Sequence, residues 1–423
     1  MQSFFEKISM VFRDPNLRNR VLFVLGALVV FRFLSSIPIP GINTVRLAEV
    51  LAGNQVLGLF NVFSGGGLTN LSIVMLGVGP YITSSIVMQL LTVMSPRLKA
   101  MYQEEGELGR KKFSQYSRYL TIPLALIQAF AFIVLLTRQG VVANLTPMSL
   151  VTNIIIVTAG SLLLMWIGEL MTEFGIGNGT SIIIFAGIVA TLPSSLAQLR
   201  ASFDPSQIPL IAGFVILAAA IVYAVVYVTE AERPIPITYA KRVRGMKVYG
   251  GVSTYLPLRL NQSGVMPIIF AISILLFPQM ILSFLSNLQN EAIKSISSVI
   301  NEFLANQFVY GASYFLLVFI FTYFYTAVTF DPNQIATNLQ KSGAFIPGVR
   351  PGDPTSQHIL KILTRITMVG ALFLGAIAVL PIIVQAFTNI TYLTIGGTAL
   401  LIAVSVILDL VKKIDAQLSM REY

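Results

Sequence analysis

Long apolar runs, separated by shorter polar and basic stretches, alternate along the chain from about residue 21 to about residue 411. A helix crossing the hydrocarbon core of a bilayer needs about 20 mostly apolar residues. Ten runs approach or exceed that length: 21–38, 72–95, 116–136, 150–171, 181–198, 209–229, 263–286, 308–330, 366–387 and 391–411. Pro80, Pro123, Pro267, Pro278 and Pro381 fall inside or near the ends of these runs, where neighbouring helices can repair the lost backbone bonds. The segment before the first run, residues 1–20, is polar and amphipathic. The first run leads to Pro38-Ile39-Pro40 rather than to a small-residue cleavage site, so no cleavable signal peptide is expected.

The basic residues orient the spans. With a cytoplasmic N-terminus, 23 of the 28 Lys and Arg fall on cytoplasmic segments, and only Arg46, Arg138, Arg200 and Lys294 fall outside. That asymmetry predicts an even number of spans with both termini in the cytoplasm. Apart from Arg118, counted with the cytoplasmic segment at the start of the third run, Arg32, Glu169 and Asp409 are the charges left within spans. Arg32 and Asp409 lie near span ends, from which they can snorkel to the interface. Glu169, one turn from the inner end of the fourth span, reads as an interfacial carboxylate with a neighbouring partner.

Composition narrows the function. Apolar residues make up 55% of the chain and charged ones 11%, against about 25% charged in soluble domains, which excludes an ordinary soluble enzyme. With no cysteine and one histidine, His358, the chain offers no disulfide framework, no thiol nucleophile and no zinc site. No G-x-x-x-x-G-K-[ST] loop is present, so ATP hydrolysis is not expected, and no catalytic site, metal or cofactor is called for. Ion pumps and proton-coupled carriers need buried ionisable relays, which this chain nearly lacks.

Five spans precede residue 200 and five follow, so the halves enter the membrane from opposite sides, as inverted repeats do. Echoes agree with that register. Pro80-Tyr81-Ile82 in span two matches Pro267-Ile268-Ile269 in span seven. Gly179-Thr180, four residues before Ile184, matches Gly397-Thr398, four before Ile402. Ile82 and Ile86 share a face of span two, and Ile184 and Ile188 share one of span five. They either pack or face lipid, or they converge on an apolar constriction at the interface of the halves.

Three segments do not span. Residues 57–71, with Gly65, Gly66 and Gly67, are apolar but too short. They form either an outer interfacial helix or a re-entrant element buried within protein, and hence a candidate plug. Residues 230–262 alternate β-favouring and basic positions and predict a β-ribbon. Residues 331–365 hold a run of turns around Arg350. Both loops are either solvated, topology-setting segments or docking surfaces for an anionic partner such as ribosomal RNA or an acidic protein surface.

The chain resembles the SecY protein-translocation channel family from about Leu17 to about Asp415. The resemblance rests on Pro38-Ile39-Pro40-Gly41, Phe60-Asn61-Val62-Phe63-Ser64-Gly65-Gly66, Gly79-Pro80-Tyr81-Ile82-Thr83-Ser84-Ser85-Ile86, Glu105-Gly106-Glu107-Leu108-Gly109-Arg110, Gly175-Ile176-Gly177-Asn178-Gly179-Thr180, Tyr239-Ala240-Lys241-Arg242, Ser263-Gly264-Val265-Met266-Pro267 and Gly396-Gly397-Thr398. It implies an all-α polytopic membrane protein with ten transmembrane helices in two inverted five-helix halves, residues 21–200 and 201–412, around a central pore, followed by a tail at 413–423. A short re-entrant plug helix would include Leu59, Phe60, Asn61, Phe63, Ser64, Gly65 and Gly66. The implied pore ring is Ile82, Ile86, Ile184, Ile188, Ile269 and Ile402, with Met266 standing where the family tends to have isoleucine. Spans two and seven would form a lateral gate for signal sequences and membrane segments. Lys241, Arg242, Arg244, Lys247 and Arg350 would dock the ribosome or the SecA motor, although Gly245-Met246-Lys247 replaces the two adjacent basic residues that relatives often carry. Implied partners are SecE, SecG, SecA, the ribosome, nascent polypeptides and lipid, in a bacterial inner membrane. A small-solute transporter would instead need polar groups converging at mid-membrane. An intramembrane protease is disfavoured by a lone loop histidine.

Overall fold

The computed structural model describes residues 13–40, 47, 61, 64, 66–142, 146–201, 208–239, 242–244, 247–249, 253–285, 306–388 and 396–419. Local signals start the helices where capping chemistry permits. Helix α1 (Pro15–Leu34) opens on Asp14, whose side chain accepts from the Asn16 N–H, with proline in the first turn, where its missing N–H costs nothing. Helix α2 (Gly79–Met94) likewise carries Pro80 in its first turn and leads through Ser95 into the short α3 (Pro96–Gln103). Helix α4 (Gly106–Arg138) retains Pro123 in its interior. Helix α5 (Pro147–Phe174) is capped by Thr146, and α6 (Gly179–Ala201) follows.

After α7 (Ile208–Glu230) come the strands β1 (Glu232–Tyr239), β2 (Arg242–Arg244), β3 (Lys247–Tyr249) and β4 (Ser253–Arg259). Helices α8 (Met266–Leu285) and α9 (Gln307–Thr329) follow, then α10 (Pro332–Lys341), β5 (Ala344–Phe345), α11 (Asp353–Thr388) and α12 (Gly396–Ser419). Each of the ten expected spans overlaps one helix among the described residues. Among the described residues, four helical stretches are long and apolar enough to cross a bilayer: Gly106–Arg138, Pro147–Phe174, Gln307–Lys341 and Asp353–Val384.

The helices form two groups. In the first, α2 packs on α4, α4 on α5 and α5 on α6, with α1 against α5 and α6. In the second, α8 packs on α9, α9 on α11, α11 on α12 and α12 on α7. The groups meet along two seams, α8 and α9 against α2 and α4, and α12 against α6. Large apolar side chains such as Val29, Ile216 and Phe308 remain exposed, an outer surface suited to lipid.

Span two differs from the expected 72–95. The helix begins at Gly79, and residues 66–78 run as turns, because Gly66 and Gly77 take positive φ (79° and 58°) and Leu71 sits at φ 41°. Leu68, Leu71, Val74, Met75, Leu76 and Val78 are nonetheless fully buried. Irregular backbone at this depth must be satisfied inside the protein. It is: Ile39 N–H donates to Leu71 O at 2.9 Å, Ile73 N–H donates to Ile37 O at 3.0 Å, and Ser161 Oγ of α5 donates to Gly77 O at 2.8 Å. Gly160 makes room for this segment, since a Cβ there would overlap the Ile73 carbonyl oxygen.

The expected β-ribbon is present, and it is larger than its own loop. β1 pairs antiparallel with β4 from Glu232↔Arg259 to Thr238↔Ser253, and its other edge pairs with β5 through Thr238↔Phe345 and Tyr239↔Ala344. β2 and β3 form a separate two-stranded tip. Ile235, Leu258, Ile346, Ile359 and Ile366 make a small apolar core beneath the three-stranded sheet, so the two polar loops are one packed body.

Gly160→Ala should lower stability in detergent by about 1–3 kcal/mol, because the added carbon cannot be accommodated without moving α5. Gly213→Ala on α7, where a Cβ would meet nothing within 4 Å, should leave the melting temperature unchanged or raise it. Equal effects of the two substitutions in a thermal-melt assay would contradict the close packing of α5 on residues 73–77.

Candidate functional site

Hydroxyl groups buried in the helices must find partners inside the protein. Thr83 Oγ1 donates to Gly79 O, Thr121 Oγ1 to Ser117 O and Thr326 Oγ1 to Thr322 O, each one turn back. Ser84 Oγ instead donates across to the Ser117 carbonyl and ties α2 to α4. The Ser84 bond holds α2 on its own group, and α2 also meets α8 and α9.

A cavity of about 750 Å³ opens between the two groups. Its lining is mixed: polar and charged side chains come from Ser85 and Gln89 of α2, Ser114 and Arg118 of α4, Glu169 and Glu173 of α5, Thr180 and Ser181 of α6, and the 259–264 turn. Among its apolar side chains are four isoleucines, each from a different helix: Ile82 from α2, Ile184 from α6, Ile269 from α8 and Ile402 from α12. All four helices take part in the two seams.

All six expected ring positions, Ile82, Ile86, Ile184, Ile188, Ile269 and Ile402, belong to one continuous apolar cluster. None is more than 8% exposed, whereas Ile216 on the outer surface is 70% exposed. The ring isoleucines therefore do not face lipid. Ile86 and Ile188 lie in the cluster without lining the cavity. Met266, at the start of α8, also lines the cavity.

Five of the charged side chains in the cavity wall are in ion pairs. Arg118 Nε donates to Glu169 Oε1 at 2.6 Å, which gives Glu169 the neighbouring partner expected for an interfacial carboxylate. Lys413 pairs with Asp409 at 2.8 Å one turn away, and Lys412 pairs with Glu230 at 2.8 Å. Among the described residues no cluster of His, Asp and Glu could hold a metal ion.

Of the expected plug residues, Asn61, Ser64 and Gly66 are described, and Leu59, Phe60, Phe63 and Gly65 lie outside the described residues. Asn61 anchors this segment: its Oδ1 accepts from Thr69 N–H at 3.0 Å and Thr69 Oγ1 at 3.1 Å, while its carbonyl accepts from Gly66 N–H at 2.8 Å and Ser64 Oγ at 3.0 Å. Ser64 packs against Gly77, where a Cβ would lie 2.7 Å from the Ser64 Cα.

Of the expected docking residues, Arg242 and Arg244 lie on β2 and Lys247 on β3, with Arg244 opposite Lys247, and Lys241 lies outside the described residues. Arg350 is exposed in a turn bounded by Gly348 and Gly352 at positive φ, and its carbonyl accepts from Thr355 Oγ1 at 2.8 Å. Sequence reading did not find β5, which brings this turn beside the ribbon. A two-residue strand carries no periodicity to detect.

The SecY family model matches residues 72–411. The protein translocase subunit SecY of Mycobacterium leprae is 41% identical over 431 residues, covering 97% of each chain. A structure showing that the plug domain of SecY stabilises the closed state of a translocation channel matches with TM-score 0.64 at 20% identity, over 94% of this chain and 92% of that one. Sec61 in the canine ribosome–channel complex from the endoplasmic reticulum matches with TM-score 0.62 at 18% identity, over the same shares.

Because Arg118 is half exposed, Glu169→Gln should change stability by no more than about 1 kcal/mol. A loss of several kcal/mol in a thermal or denaturant melt would mean that the pair is buried, and would contradict its assignment to an interface.

Proposed function

The chain belongs to the SecY family, and on that premise we propose that it is the channel-forming subunit of a protein translocase, passing unfolded secretory polypeptides across a bacterial inner membrane. The polar cavity is the cytoplasmic vestibule, with both termini, the sheet and α10 on that side. The observation that carries this reading is that isoleucines from α2, α6, α8 and α12, all buried in one apolar cluster, line a single cavity between the two helix groups. A solute carrier would need polar groups at that meeting point.

The pore ring works by being chemically indifferent. A translocating chain presents every kind of side chain, so no fixed set of hydrogen bonds could match it. Isoleucines pack around many shapes, and an ion entering them loses hydration without replacement. The segment anchored by Asn61 plugs the opposite side. The seam between α2 and α8 is a lateral gate, through which an apolar segment leaves for lipid, driven by about 25 cal/mol per Å² of apolar surface removed from water.

The energy for transport comes from partners. SecA or a ribosome docks on the β2–β3 tip and the Arg350 turn, and SecE and SecG complete the complex. In support of ribosome docking, one structural neighbour is a ribosome-bound channel.

Replacing Ile82, Ile184 and Ile402 together with Asn should raise ion conductance across reconstituted membranes far above wild type. Conductance at background in a folded variant would refute the seal. Arg350→Glu should impair export of a secretory precursor while leaving the amount of channel in the membrane unchanged, and normal export would remove the docking role.

A further inference from the structure

Among the described residues, Gln103 and Gln334 make side-chain hydrogen bonds that cross between the helix groups. Gln103, the last residue of α3, donates from Nε2 to the Val328 carbonyl near the end of α9, at 3.0 Å. Gln334, in the first turn of α10, donates from Nε2 to the Gln103 carbonyl, at 3.5 Å. Gln103 follows the gate helix α2, and Gln334 follows α9, so the pair bridges the seam at the ends of α3 and α9.

The far side of this bridge is tied to the exposed Arg350 turn. Asp331 accepts from the N–H groups of Asn333 and Gln334, at 2.9 and 3.3 Å, which fixes the start of α10. Asn333 Oδ1 accepts from Ser356 Oγ at 2.5 Å, joining α10 to the first turn of α11. The adjacent Thr355 donates to the Arg350 carbonyl. Two side-chain hydrogen bonds and the α10 cap therefore connect the Arg350 turn to Gln334.

We propose that Gln103 and Gln334 are positioning residues for the gate, an amide clasp that holds α2 and α3 against α9 and α10 in the closed channel and is released when a partner docks on the Arg350 turn. The clasp rests on the gate and docking roles proposed above. Its bonds suit a reversible latch. A neutral hydrogen bond at a water-accessible rim contributes only modestly, so docking can outweigh it. The partly buried Gln103 bond contributes more than that of the exposed Gln334.

The chain has no cysteine, so a Q103C/Q334C pair can be introduced cleanly into the full channel in membrane vesicles with its partner subunits. A short bismaleimide should join the pair in the idle channel, and the joined channel should neither translocate a secretory precursor nor insert a membrane segment. The unjoined pair should do both. A docked ribosome carrying a nascent secretory chain should cut the joining yield about fivefold. Gln103→Glu keeps the shape but removes the donor, and should raise export of a precursor with a weakened signal sequence about fivefold, the factor one such bond is worth. The clasp is overturned if the joined channel translocates normally, if docking leaves the joining yield unchanged, or if Gln103→Glu matches wild type. Failure of the wild-type channel to translocate in the same vesicles would overturn the channel reading, and the clasp with it.

Discussion

An ion that reaches a collar of isoleucine side chains must shed water and finds no carbonyl, carboxylate or hydroxyl to take its place. In the channel proposed here, that penalty lets a passage wide enough for polypeptide remain closed to small ions, and it depends on where four helices meet. Ile82, Ile184, Ile269 and Ile402 come from α2, α6, α8 and α12, which take part in the seams between the two groups, and all four are buried in one cluster. Moving either seam therefore changes the collar. The pairing of Glu169 with Arg118 and of Asp409 with Lys413 offsets these charges within the wall of the same cavity.

The structure around the collar divides into parts that hold and parts that can yield. Residues 66–78 hold: they are irregular in backbone but buried, and they are stitched to residues 37–39 and to α5. Ser84 fastens α2 to α4 by a buried bond. The contacts across the gate seam are of another kind. The side-chain hydrogen bonds found there are those of Gln103 and Gln334, at a rim that water reaches. The sheet and α10 connect that rim to the exposed Arg350 turn, since β5 pairs with β1 and Ile346 packs in the core beneath.

Much of this was legible in the sequence because apolar run length and two-residue alternation are strong signals. The ten runs each contain a helix, the alternation through Ile235 and Ile237 becomes β1, and the echoed isoleucines gather in one cluster. Run length failed where burial and helicity part company. Val74, Met75, Leu76 and Val78 are as apolar as a span yet sit in turns, because the glycines beside them and the carbonyls of residues 37 and 71 supply an alternative. Polar helix extensions were also missed: α4 begins at Gly106 and α11 at Asp353, well before their apolar runs, since a helix projecting into water needs no apolar stretch. Contacts between distant residues left no local trace, as with β5 and with Gln103 meeting Val328 across 225 residues.

The central claim is that the isoleucines of the four converging helices surround the path of the moving chain. The most direct measurement places a photoreactive residue in turn at position 184, 269 or 402, and at the outward position 216, and stalls a secretory polypeptide in transit. The account predicts covalent adducts to the stalled chain from 184, 269 and 402 and none from 216. Adducts from none of the three, with the polypeptide captured elsewhere on the protein, would contradict it.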